Sequence, residues 1–278
     1  MLSRALKMAF WVLYDHLGKL VLANLIWAAA VLAPGLIGWA ALTSGQRPIA
    51  LVIGAPAMVL ACGVMLPVIT AGLAHMIKGL IETQDGSVLD LFSGIRLYGL
   101  RALGIGLFYG VACSSLIVSV WFYATKLRDT APWIGYTISA LALWCLAFAG
   151  LMAMLVMPAL VQKKAPVFAT LRLAALLVLD NPLFCIGLAL QFMVLIGLSL
   201  MPPVLLLLSG SAATVLGSSA YEMLARKYAA LSKSGVALDD HATGSLRAIS
   251  RKSAIDFGDE HDDYLNRGFR DFLFPWKG

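Results

Sequence analysis

Charge is scarce in this chain. Asp, Glu, Lys and Arg make up 13% of its 278 residues, about half of the roughly 25% that a soluble domain carries. A soluble globular protein of ordinary composition is thereby excluded. Paired cysteines are lacking too. Cys62, Cys113, Cys145 and Cys185 each sit inside an apolar run, and none forms a C-x-x-C. They read as small hydrophobes rather than as a zinc or redox site. The four histidines, His16, His75, His241 and His261, are scattered without metal-ligand spacing. No P-loop, nucleophile elbow or H-E-x-x-H is present. The reading is therefore non-catalytic, with no metal and no cofactor.

The net charge of +6 does not point to nucleic acid. Up to Ala225 there are 12 Lys or Arg against 7 acids, and from Arg226 onward 9 against 8. The excess belongs to the apolar part, where basic loops set membrane topology. The nearly balanced tail makes no phosphate-binding field.

Long apolar runs are what the chain has in abundance. Sixty per cent of its residues are hydrophobic and the mean hydropathy is +0.86. Runs of roughly 18 or more apolar residues read as membrane-crossing helices. The fold class is all-α: a polytopic helix bundle of six spans at about 20–42, 49–81, 102–124, 133–160, 183–201 and 204–224, together residues 1–225. Residues 3–18 form an amphipathic approach. The second run exceeds the bilayer core, and Pro56 and Pro67 are its kink points. Asn181–Pro182 reads as a capping residue followed by a first-turn proline. Only Met201–Pro203 separates the last two spans.

Two segments look interfacial. In 88–100, Val88, Leu91, Phe92, Ile95 and Tyr98 recur at helical spacing after a Ser87-x-x-Asp90 capping pattern. In 167–178, Val167, Phe168 and Leu171 form the apolar side and Thr170 and Arg172 the polar one. Each follows a span with a late proline, Pro67 or Pro158, which suggests a degenerate repeat of span, surface helix and span. The Lys/Arg groups alternate between rich and poor from loop to loop, which puts both termini in the cytoplasm.

Inside the spans the polar groups are nearly all neutral. Asn24 and Gln191 are the candidate intramembrane polar residues, open to either interhelical hydrogen bonding or a substrate path. Gly106 and Gly110 make a G-x-x-x-G; Gly210, Ala213 and Gly217 share a face in the sixth span. Both stripes predict close helix packing, with another span or with a second copy of the chain. Trp27, Trp39, Trp121, Trp133 and Tyr221 fall near span ends, as interfacial anchors do.

The tail, 226–278, divides into a tether at 229–258, rich in Ser, Gly, Asp and Lys, and a short aromatic helix at 259–274. Acids lead that helix, Arg267 and Arg270 follow, and Asp263 and Arg267 are spaced to pair. Leu265, Phe269, Phe272 and Trp276 recur at intervals of four, three and four, the anchor spacing of a helix in a groove. The groove is offered by the bilayer, by the chain's own surface, or by a separate membrane or cytoplasmic partner.

The stretches "LANLIWAAAVLAPG", "LPVITAGLAHMIKGL", "LFSGIRLYGLRALG" and "MPALVQKKAPVFATLRLAALLVLDNPL" follow one another in an order that resembles the YesL-like family of bacterial integral membrane proteins of unknown function. The similarity covers residues 8–224. It implies a protein of the bacterial cytoplasmic (inner) membrane, associated with carbohydrate utilisation and uptake. Two functions remain: an accessory or scaffold subunit that docks a partner through its tail, or a small neutral-solute transporter.

Overall fold

The computed structural model describes residues 1–126, 132–233 and 263–267. Among them there is helix and no strand. The elements are α1 (Leu2–Asp15), α2 (Leu17–Thr43), α3 (Arg47–Glu82), α4 (Leu89–Thr125), α5 (Pro132–Lys163), α6 (Val167–Asp180), α7 (Pro182–Leu198), α8 (Pro202–Leu207), α9 (Ser209–Lys233) and α10 (Asp263–Asn266).

Four of these, α2 to α5, are long and apolar enough to cross a membrane. A fifth crossing results if α6 and α7, which meet at 103°, are taken as one broken span. The sixth expected span is split: residues 204–224 fall partly in α8 and partly in α9, because Leu208 leaves helical geometry at φ −142°. The apolar surface of α4 is turned outward, with only 6% of its most apolar stretch buried inside the protein. Leu100, Val111, Val118 and Trp121 are all exposed there. A bilayer has to cover such a surface, since water would not.

α3 is continuous over 36 residues, about 54 Å at ~1.5 Å per residue and well beyond a ~30 Å hydrocarbon core. Two stretches of it, Ala50–Gly54 and Val59–Met65, are wound with the wider i→i+5 bonds, such as Leu66 N–H to the Ala61 carbonyl. Pro56 and Pro67 follow closely. A proline brings no N–H to the ordinary ladder, and the wide register accommodates that gap.

The expected interfacial helix at 88–100 is corrected. Residues 89–125 form one helix, in line with the expected span at 102–124, because nothing between them breaks the ladder. The start of this helix follows the capping pattern: Asp90 Oδ2 accepts the Ser87 N–H at 2.7 Å, and Ser87 Oγ accepts the Leu89 N–H at 3.3 Å. Part of the apolar stripe covers α3 rather than lipid, with Leu91 and Tyr98 fully buried, while Phe92 stays exposed. The crossing is tight enough that a Cβ on Gly94 would lie 2.6 Å from the His75 Cβ and 3.1 Å from the Gly72 Cα. The second such segment does form its own helix, α6, because Pro182 lacks the N–H that would carry it into α7.

The core lies toward one end of the bundle, where the helices reach Glu82, Lys163, Asp180 and Tyr228. One cluster joins Met8, Trp11 and Val12 of α1 with Leu20, Met76, Leu80, Val215, Tyr221 and Leu224; the other joins Tyr98, Ala102, Ile105, Leu160 and Ala174 across α3 to α6. Here too belong Trp27 and Tyr221, expected at the membrane interface. Tyr221 is buried in the core, and Trp27 is partly buried with its indole N–H on Thr70 Oγ1 at 3.3 Å. Trp39, Trp121 and Trp133 remain exposed.

The glycine crossings can be tested in pairs. Gly94→Ala should lower the midpoint of thermal unfolding in detergent by the equivalent of about 1–3 kcal/mol, the cost of overpacking. Gly110→Ala, with nothing within 4 Å of the added methyl, should leave it unchanged or raise it slightly, since alanine favours helix.

Candidate functional site

Three groups of polar side chains inside this apolar fold sit at interruptions of helical backbone. The first is the break at Leu208. Asn24 is fully buried. Its Nδ2 donates to the Leu205 and Leu206 carbonyls at 3.2 and 2.8 Å, and its Oδ1 accepts the Ser211 N–H at 2.9 Å. Helix ends leave carbonyls and N–H groups unpaired, and in an apolar interior each must find a partner. One carboxamide serves both ends of the break. Ser209 Oγ adds a bond to the Leu205 carbonyl at 2.8 Å.

The second interruption is the corner between α6 and α7. Asn181 does not cap α7 with its side chain as expected. Its Nδ2 donates instead to the Tyr228 hydroxyl at 2.9 Å and to the Leu177 carbonyl at 3.3 Å, while its Oδ1 accepts Lys227 Nζ at 2.5 Å. Tyr228 in turn donates to Asp180 Oδ2 at 3.1 Å. Burial pushes the Tyr228 phenol up to about 12 and draws the Lys227 ammonium down. The network ties the end of α9 to the bend.

The third interruption is the end of α3, where the C-terminal segment docks on the chain itself. Tyr264 is 2% exposed and Leu265 9%. The Tyr264 hydroxyl donates to the Leu80 carbonyl at 3.2 Å, one of the last-turn carbonyls left over by α3. That proton being used, the His16 contact at 3.1 Å must be donated by His16 Nε2–H. Lys7 Nζ holds the Leu265 carbonyl at 2.5 Å. Arg267 pairs with Asp15 and lies over the rings of Trp11 and Tyr264, 5.3 and 5.9 Å from their centroids.

The sequence-derived candidates therefore separate. Leu265 belongs to the protein's own core and cannot be an anchor for another molecule while docked. Arg267 is not helical and α10 stops at Asn266, so the described chain breaks the helix expected over 259–274, and Arg267 pairs with Asp15. Phe269, Phe272 and Trp276 lie outside the described residues. The tether starts later than 229, because α9 continues to Lys233. Gly106, Gly210 and Gly217 sit at close crossings within this chain, where a Cβ would meet Pro67 Cγ at 2.4 Å, the Trp27 ring at 2.6 Å and the Met154 carbonyl at 2.7 Å. Gly110 faces open space and Ala213 is partly buried. Asn24 bonds to backbone, and Gln191 is partly buried. Sequence reasoning passed over Tyr264 and gave His16 no contact role, and it read Asn181 only as a helix cap, through the proline after it.

No protein-family model, curated protein or solved structure matches this chain.

Asn24→Ala should take the side-chain partner from the Leu206 carbonyl and the Ser211 N–H at once, while the Leu205 carbonyl keeps Ser209 Oγ. At about 1–3 kcal/mol for a buried group left unpaired, the loss should be plain in detergent thermal unfolding, whereas Gln191→Ala should stay within about 0.5 kcal/mol of the parent. The tail contact should respond to acid. Burial, with Lys19 next, holds the docked His16 below its ordinary value of 6.5. Arg267, which arrives with the docked segment, adds to that lowering, so His16 binds fewer protons docked than released. Docking is strongest above 6.5 and weakens as pH falls through the depressed value. Amide hydrogen exchange at Tyr264 to Asn266 should quicken, beyond its intrinsic pH trend, between pH 7.5 and 5, and His16→Gln should flatten that response.

Proposed function

We propose that the protein is a non-catalytic accessory or scaffold subunit of a bacterial cytoplasmic-membrane assembly, with six spans and both termini in the cytoplasm. The resemblance to the YesL-like family supports the compartment, and the alternation of Lys/Arg groups supports the orientation. One observation carries the scaffold reading: the buried polar side chains with the most partners, Asn24, Asn181 and Tyr264, all bond to backbone at a helix interruption. Their polarity goes into holding a shape. The docked stretch ending at Arg267 fixes where the remaining tail departs, beside α1 and the end of α3. Phe269, Phe272 and Trp276 then act as the anchors for a cytoplasmic or membrane partner.

Mild-detergent co-purification tests this, with the full chain against one ending at Arg267 and against Phe269→Ala/Phe272→Ala. Both variants should insert and melt like the parent but lose the partner. Retention of every partner contradicts the scaffold reading. Reporter fusions after Gln46 and at the C-terminus should report the outside and the cytoplasm respectively; an exported C-terminal reporter contradicts the topology.

A second reading, a carrier for a small neutral solute such as a carbohydrate, is favoured by a different observation. The hydroxyls of Ser218 and Ser219 are buried on α9 with no hydrogen-bond partner among the described residues. Buried hydroxyls usually have one, and a polar solute could supply it. Solute uptake into liposomes holding the purified protein separates this reading from the first.

A further inference from the structure

The outer side of α6 is an apolar stripe with a cluster of cations at one end. Phe168, Leu176 and Leu179 are exposed, and Arg172 lies between them, four residues from Phe168 and four from Leu176. Residues at that spacing share one face of a helix. The opposite face, Leu171, Ala174, Leu177 and Val178, is buried against the bundle. Past the 103° bend the stripe continues into exposed Leu183, Ile186 and Leu190 of α7. α6 is thus turned across the direction of α7, and its apolar outer face joins the surface that a bilayer covers.

Three cations meet at the start of α6, and Arg172 lies further along its outer face. Arg101 Nη1 donates to the Lys164 carbonyl at 2.6 Å, which brings the guanidinium of α4 to the end of α5. Lys164 adopts φ +52° and ends that helix, and Lys163 precedes it. Val167 then packs on α4, its Cγ2 within 3.2 Å of where a Gly104 Cβ would be. Arg101, Lys163, Lys164 and Arg172 are all exposed, and none has an acidic partner among the described residues. Most acids of neighbouring segments are engaged: Asp90 accepts the Ser87 N–H, Glu82 pairs with Lys78, Asp180 accepts the Tyr228 hydroxyl and Glu222 pairs with Arg226, while Asp85 is exposed in the loop after α3.

We propose that this corner binds the headgroup of an anionic phospholipid. Lys163, Lys164 and Arg172, with Arg101 behind them, hold the phosphate; Phe168 enters the acyl boundary beside it. Two features select this occupant. The unpaired positive charge complements an anionic headgroup, and the apolar stripe is continuous with the lipid-facing side of α7, as in a helix lying at the interface. The inference rests on membrane insertion and not on the scaffold reading, so each can fail alone.

The purified full-length protein in neutral detergent is titrated with phosphatidylglycerol, with phosphatidylcholine and with inorganic phosphate. Thermal stability and the lipid retained in native mass spectrometry are read for each. Phosphatidylglycerol should raise the melting temperature and be retained in preference to phosphatidylcholine; inorganic phosphate should do neither. Lys163→Gln/Lys164→Gln/Arg172→Gln should weaken phosphatidylglycerol binding by roughly a hundredfold, at about fivefold per cation near the surface. Arg172→Gln alone, a change at an exposed side chain, should cost roughly fivefold and covers the case of a triple variant that does not fold. Arg47→Gln, at the other end of the bundle, should bind like the parent. Equal effects of the two lipids, the same effect from inorganic phosphate, or undiminished binding by Arg172→Gln and the triple variant would each overturn the proposal.

Discussion

A helix that stops inside an apolar bundle must do something with its broken ladder, and in this protein Asn24 resolves that problem. Its carboxamide offers two donors and an acceptor, the complement of two spare carbonyls and a spare N–H. The break at Leu208 is tolerable because those three groups meet Asn24 on α2. With the break satisfied, α9 can start within the bundle and run through its middle, touching α1, α2, α3, α5 and α7. An unpaired group in such a place has no water to repair it, so the start of α9 depends on that side chain, while the crossings at Gly210 and Gly217 and the Asn181 bonds hold the rest of it.

The same logic recurs at the other interruptions. The corner between α6 and α7 is bound to α9 through Asn181, and the end of α3 is closed by Tyr264 from a point 184 residues further along the chain. The closeness of packing follows from small side chains rather than from polar ones. Where Gly217 meets the Met154 carbonyl or Gly94 meets Gly72, no Cβ keeps the backbones apart, and dispersion contacts along the crossing hold helices that gain nothing from expelling water. Ion pairs have a lesser part. Lys78–Glu82 and Arg267–Asp15 are solvent-accessible pairs, each worth about 0–1 kcal/mol, so Tyr264 and Leu265 hold the tail more by burial than Arg267 does by charge.

The two halves of the molecule differ in kind. Toward Glu82 and Lys163 the helices form a packed core like that of a soluble bundle, with Met76, Leu80, Tyr98 and Leu160 fully buried. Toward Thr43 and Thr125 the hairpins spend most of their apolar surface on lipid. The polar networks lie with the core half. It also receives the C-terminal segment and carries the cations at the start of α6, so one end of the bundle gathers the interactions while the other presents the exposed apolar surface.

The all-helical class, the apolar segments and the starts of α4 and α7 were legible in the sequence, since each depends on local periodicity, on a capping serine and aspartate, or on a proline without an N–H. The small residues of both stripes were legible, but spacing alone did not say which of them pack: Gly106, Gly210 and Gly217 meet neighbours, and Gly110 faces open space. The tertiary structure decided the rest. The stripe of Leu91 and Tyr98 is equally apolar whether it meets lipid or helix, and only the crossing at Gly72 and Gly94 assigns it to α3. Asn24 could have lined a path or closed a gap, and the choice belongs to Leu205, Leu206 and Ser211, 181 to 187 residues away. Leu265 has the spacing of an anchor for any groove; that its groove is its own chain follows from Lys7, His16 and Leu80, which no local pattern connects to it. Local backbone chemistry sets where helices begin and end, whereas the partner of a side chain is a property of packed surfaces distant in sequence.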